Sequence, residues 1–251
     1  MRIGSLFWRF NNYGFIPAIK YIYTEKINKS FFDYSEHKII FSLSDLNNSM
    51  LKIDKNEISR LENYSHQIFN EISSELNSFI NNGLIIKKSI IGTNASTTRL
   101  KVLAYLIKYI KFDLMIESGT QHGISALFIE KLVDSSDFLI YSIDVKNNVI
   151  PVGLNNVKYI ILDSPVRESF KKNTSQLVNT NQQLIYFHDS DHSYENMAFE
   201  FNWAWNELNV KCLVSDDVSE NGAFSNFVKQ NNLSPYFCKF DSGSVVGFVI
   251  K

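Results

Sequence analysis

The chain has 251 residues, with 25 Lys and Arg against 26 Asp and Glu and a net charge of -1. That balance offers no basic footprint for duplex nucleic acid. Apolar residues at 45% and charged ones at 20% are ordinary globular usage, which excludes wholesale disorder. Two cysteines, Cys212 and Cys238, exclude a disulfide scaffold and a cysteine zinc site. With 10 Gly and 4 Pro, linker-rich and many-turned all-β architectures are disfavoured. The longest apolar runs fall short of the roughly 18 residues that a membrane span needs. A soluble, cytoplasmic α/β or mainly helical protein is expected.

The first 23 residues are aromatic, but Arg9, Asn11 and Asn12 interrupt any continuous apolar core and no small-residue cleavage site follows, so they do not read as a secretion signal. Arg2, Arg9 and Lys20 interleaved with Phe7, Trp8, Phe10 and Phe15 suit a membrane interface. The favoured reading is that these rings cap the domain or form a dimer contact. A helix is expected from Lys55 to about Asn81, where Ile58, Leu61, Tyr64, Ile68, Ile72, Leu76 and Ile80 form an apolar stripe at helical period. No charged or catalytic cluster lies on it, so it reads as a docking helix. A further helix, Thr97 to Ile110, leads into the second region.

From Phe112 onward short apolar runs alternate with amphipathic stretches. FDLMIESG (112–119), FLIYSIDV (138–145), VKYIILDS (157–164), QLIYFHDS (183–190) and VKCLVSDD (210–217) read as strands. Helices are expected over 123–133, about 165–178, 193–209 and 222–230. SPYFCKF (234–240) and SVVGFVI (244–250), joined through Asp241, Ser242 and Gly243, read as an antiparallel hairpin at one sheet edge. This order implies right-handed βαβ units, hence a doubly wound α/β sheet of seven strands, mostly parallel. Residues 1–95 would be a helical or irregular extension and residues 96–251 the sheet domain.

Glu117-Ser118-Gly119-Thr120-Gln121-His122-Gly123 lies where the first strand hands over to its helix, at the crevice where such sheets bind ligands. Gly119 and Gly123 permit a tight turn and close backbone approach. Free N–H groups at the start of the helix, with the Ser125 hydroxyl, suit an anionic group. A dinucleotide site requires glycine where Gln121 stands, which favours a smaller nucleoside carrying a carboxylate. Asp144 ends the second strand, the place for an acid that grips two ribose hydroxyls, and Asp163 ends the third, placed for an adenine amino group. The plainer alternative is that both acids cap the segments that follow them.

From about residue 95 to 251 the sequence resembles the class I S-adenosylmethionine-dependent methyltransferases. The resemblance implies that Gly119, Thr120 and Gly123 form the cofactor turn and that Glu117, Gly119 and Ser125 surround the methionine moiety. Asp144 would hold the ribose, Asp163 would neighbour the adenine, and the last strand would run antiparallel. The usual glycine-rich run is thinned here to two glycines, as in the metal-dependent O-methyltransferases.

HDSDHSYE (188–195) and SDD (215–217) hold the densest set of reactive groups. If the fourth and fifth strands are neighbours, roughly 4.8 Å apart, the carboxylates of Asp189, Asp216 and Asp217 converge at their ends. Three carboxylates at one point repel each other unless a cation or protons neutralise them, and an oxygen-only set suits Mg²⁺ or another hard divalent ion. His192 stands where a neutral imidazole would take a proton from a metal-bound hydroxyl. The block resembles the metal segments of caffeoyl-coenzyme A, catechol and macrolide-sugar O-methyltransferases. That resemblance makes Asp189, Asp216 and Asp217 the metal ligands and His192 the base. The first two families usually carry Asp-Asn where Asp216-Asp217 stands, and a lysine where His192 stands.

The reading is metal-dependent O-methyl transfer from S-adenosylmethionine to a small-molecule or sugar hydroxyl, one with a vicinal oxygen that would also chelate the ion. Residues 1–95 would supply a lid, an acceptor pocket or a homo-oligomer contact. A metal-dependent hydrolase using the same carboxylates and a non-catalytic nucleoside-binding partner subunit are the alternatives.

Overall fold

A computed structural model describes residues 38–81, 97–133, 137–147, 154–163, 167–178, 182–241 and 244–251. The aromatic N-terminal stretch, His37, Ser164 and the Ser242-Gly243 connection lie outside the described residues, as do the side chains of Leu76 and Ile80. The strands are β1 (Ile39–Ile40), β2 (Leu114–Ser118), β3 (Leu139–Asp144), β4 (Val157–Ile161), β5 (Leu184–His188), β6 (Cys212–Ser215), β7 (Tyr236–Cys238) and β8 (Val246–Ile250). The helices are α1 (Leu43–Ser49), α2 (Lys55–Asn81), α3 (Thr97–Tyr109), α4 (Ile124–Val133), α5 (Arg167–Ser175), α6 (Tyr194–Asn202) and α7 (Ala223–Gln230). No helix among the described residues is long and apolar enough to cross a membrane.

All eight strands form one sheet in the order β1-β7-β8-β6-β5-β2-β3-β4. Its pairings are parallel except those of β8, which runs antiparallel to both β6 and β7. The doubly wound, mostly parallel sheet expected from the alternating pattern is present. Two details differ from the sequence-based expectation. The closing strands pair as an antiparallel hairpin as expected, but β1 lies outside β7, so the hairpin stands one strand in from the edge. An eighth strand comes from the N-terminal region: β1 pairs with the outer side of β7, Ile39 opposite Phe237. Two residues are too short a run to show a period in sequence.

Alternation along the buried strands assigns their side chains to two faces. Met115, Ile185, Phe187, Val214 and Phe248 pack on one side with α1, α2, α3 and α4. Leu114, Ile116, Tyr186 and Leu213 pack on the other with residues of α5, α6 and α7. The α2 stripe behaves as its spacing predicts. Ile58, Leu61, Ile68 and Ile72 are buried, and the helix lies against α3 and α4. Each such side chain removed from water contributes about 2 kcal/mol. Tyr64 departs from the stripe: it is exposed, and its hydroxyl donates to the Lys131 carbonyl at 3.2 Å. The expected helix over 193–209 divides into α6 and a π turn, Trp203–Glu207, closed by Leu208 N–H donating to the Trp203 carbonyl at 3.2 Å.

The chain leaves β2 outward to β3 and β4, then returns on the other side of β2 as β5. The crevice beyond the carboxyl ends of β2 and β5 is therefore the topological switch point. Ser118 pairs with His188, and His188 with Ser215. The next residue of each strand, Gly119, Asp189 and Asp216, therefore emerges side by side at that crevice.

Candidate functional site

The turn after β2 needs both of its glycines. Gly119 has φ +98°, and a Cβ there would collide with the carbonyl of Asp189. Gly123 has φ +76°, and a Cβ there would stand 2.8 Å from the Tyr159 hydroxyl. L side chains are disfavoured at such angles, so the constraint is doubled at each site. Gln121, at φ +47°, donates its N–H to Asp144 Oδ2 at 2.8 Å. Thr120 Oγ1 and Ser142 Oγ share a hydrogen bond of 2.7 Å. Glu117 is fully buried and accepts from the hydroxyls of Ser125 and Ser142. Burial pushes its carboxyl up, against the pull of those two donors and of Arg99. Glu117 and Ser125, both expected to surround the methionine moiety, thus bond to each other and tie β2 to α4.

Asp144 caps the turn after its own strand and also faces the glycine turn. Its Oδ1 accepts from the N–H groups of Val145 at 2.6 Å and Lys146 at 3.1 Å, while Oδ2 takes Gln121. Asp163 is exposed just beyond β4, next to Leu162, whose N–H donates to the Asp144 carbonyl at 2.8 Å. The turn and the two acids therefore stand in a row across β2, β3 and β4.

On the other side of the crevice, Asp189 and Asp216 meet as parallel neighbours. Asp216 N–H donates to the His188 carbonyl at 3.0 Å. Between the two carboxylates lies Arg99, from the first turn of α3. Its Nη1 is 2.6 Å from Asp189 Oδ2 and 2.9 Å from Asp216 Oδ2. Asp216 Oδ1 accepts from the Ser244 hydroxyl and from Asp217 N–H. Burial disfavours the Arg99 charge, but Asp189 and Asp216 outweigh it and hold the guanidinium firmly protonated. Burial pushes the Asp189 carboxyl up to about 7; Arg99 pulls against this and Asp216 adds to it. Asp217 does not join the pair. Its carboxylate gathers with His192 and Glu220, one potential ligand atom from each lying within 4.8 Å of the others.

His192 Nε2 is buried without a hydrogen-bond partner, 3.9 Å from Asp189 Oδ1. Its loop is held by Asn221, whose Nδ2 donates to the His192 carbonyl at 2.8 Å. Beneath it, edge-on at 5.3 Å between ring centroids, lies the fully buried His188. Glu200 of α6 collects Tyr186 Oη at 2.6 Å, His188 Nδ1 at 2.8 Å, Ser190 Oγ at 2.9 Å and Asn196 Nδ2 at 2.8 Å. Burial alone would raise Glu200. His188 and the other donors outweigh that and hold the carboxylate down at about 2, from an ordinary 4.5.

A candidate caffeoyl-CoA O-methyltransferase from Staphylococcus aureus aligns with 79% of this chain and 100% of its own, at 15% identity and a TM-score of 0.50. This chain shares the fold of that structure. An O-methyltransferase from Bacillus cereus, in complex with SAH, aligns over 82% of this chain and 96% of its own, at 12% identity and a TM-score of 0.49. No protein-family model and no curated protein matches the sequence.

On this fold, sequence reasoning missed Arg99, Glu200, Ser142 and Asn221. Glu200 had a legible signal. It falls three residues after Met197 and four before Ala204, on the buried stripe of an amphipathic helix where an acid requires partners. Arg99 had none, because its partners are 90 and more residues away.

Proposed function

We propose that this chain transfers a methyl group from S-adenosylmethionine to a hydroxyl of a small molecule or sugar. The observation that supports the reading best is the row of groups at the carboxyl ends of β2, β3 and β4. There a glycine-constrained turn, the Asp144 carboxylate joined to that turn, and Asp163 one strand further on lie along the same edge of the sheet as the switch-point crevice. These residues fit a nucleoside. Asp144 would take the ribose hydroxyls, Asp163 the adenine amino group, and the turn from Gly119 to Gly123 would accept close contact.

S-adenosylmethionine supplies, when bound, a methyl group already activated on a sulfonium. The protein's own work is then positioning and proton removal. His192 takes the proton of the acceptor hydroxyl, and Asp189 Oδ1 lies 3.9 Å from its Nε2. A divalent ion on Asp189, Asp216 and Asp217 would be the metal-assisted form of this reading. The donors as placed do not fit it: Arg99 fills the gap between the first two, and Asp217 lies with His192 and Glu220. The proton step is therefore assigned to His192 and Asp189 alone. Residues 1–95 would contribute the lid, acceptor pocket or contact between copies. The buried free thiols of Cys212 and Cys238 suit a reducing compartment such as the cytoplasm.

Calorimetric titration of S-adenosylhomocysteine into the protein tests the reading. One-site binding, weakened at least about tenfold in Asp144→Ala, is expected. A folded wild-type protein that binds none refutes it.

A further inference from the structure

We propose that Arg99 is a built-in cation that takes the place of a divalent ion between Asp189 and Asp216, so that these two carboxylates work without a metal. Four observations carry this. Both carboxylates direct an oxygen at the same nitrogen, Nη1, at 2.6 and 2.9 Å, which leaves no gap for a second cation. The other Asp216 oxygen is already an acceptor for Ser244 and for the Asp217 backbone. Asp217, the donor that would complete an ion's oxygen set, lies with His192 and Glu220.

The fourth observation is that the position of Arg99 is built into the core. Its neighbours Thr98 and Leu100 are buried, and Thr98 Oγ1 donates to Asp241 at 3.2 Å and accepts from Phe240 N–H at 2.9 Å. The first turn of α3 is thereby pinned to the chain that follows β7. The guanidinium cannot discard its proton at any working pH. A dication arriving at the same carboxylates would meet a fixed like charge at contact distance, in a site with little water to screen it. The acceptor then needs no second oxygen to complete a chelate, and a lone hydroxyl suffices.

Mn²⁺ titration followed by electron paramagnetic resonance tests this on the full chain, without turnover or cofactor, so its outcome is separate from that of the methyl-transfer reading. Wild-type protein is expected to show no Mn²⁺ binding that Asp189→Asn abolishes. Arg99→Gln is expected to open the carboxylate pair and bind Mn²⁺ at least about tenfold more tightly than wild type, a gain lost again when Asp189→Asn is added. Wild-type binding that Asp189→Asn abolishes overturns the proposal, and so does a folded Arg99→Gln protein that gains none. Should Arg99→Gln not fold, the comparison of wild type with Asp189→Asn decides alone.

Discussion

Replacing Glu200 by Gln isolates the charge at the centre of the buried network under His192. Four donors converge on that carboxylate, and two of them, Tyr186 and His188, are wholly buried. Its pKa is held at about 2 against an ordinary 4.5. A depression of that size corresponds to about 3 kcal/mol of folding stability at neutral pH, since each pKa unit is worth roughly 1.4 kcal/mol. Because the folded pKa is the lower one, this stability is complete above about 4.5 and is lost as pH falls from there towards 2. Urea unfolding of wild type and Glu200→Gln at pH 7 should therefore differ by about 3 kcal/mol, and about 1 kcal/mol of that gap should have closed at pH 3.5. A gap under about 1 kcal/mol at pH 7, or one that does not narrow in acid, refutes the reasoning.

Gly119→Ala combines a left-handed backbone with a collision at the Asp189 carbonyl, so it should lower the unfolding free energy by about 3 kcal/mol or more, read in the same urea titration. Loss of S-adenosylhomocysteine affinity should accompany it, because the turn carries the cofactor face. His192→Gln should reduce the methyl-transfer rate by about 10²-fold or more while S-adenosylhomocysteine affinity, measured by calorimetry, stays within about threefold. An equal fall in both quantities would place His192 in binding rather than in proton transfer.

The fold was legible because buried parallel strands announce themselves as short apolar runs, and FDLMIESG, QLIYFHDS and VKCLVSDD became β2, β5 and β6. The carboxylates at their ends were legible for the same reason, since side-by-side strands bring successive strand ends together. What charge lies between those carboxylates was not legible. Arg99 precedes Asp216 by 117 residues, and no local pattern reports a pairing at that distance. The direction of Asp217 was hidden too. Adjacent aspartates read as one cluster in sequence, yet Asp216 meets Arg99 while Asp217 gathers with His192 and Glu220. The sequence pattern places groups at an edge; remote helices decide which of them meet.

The pairing of β1 with β7 bears on how this chain can be cut. Ile39 and Ile40 cover the outer backbone of β7, and Lys239 N–H donates to the Ile40 carbonyl at 2.9 Å. A fragment starting near residue 96 would lose that cover and also the Ile58, Leu61, Ile68 and Ile72 stripe over α3 and α4. It would present a bare strand beside a freshly uncovered apolar surface, the combination that seeds intermolecular sheet growth. Preparations of such a fragment would aggregate, and ligand titrations on them would report on self-association instead of on the crevice.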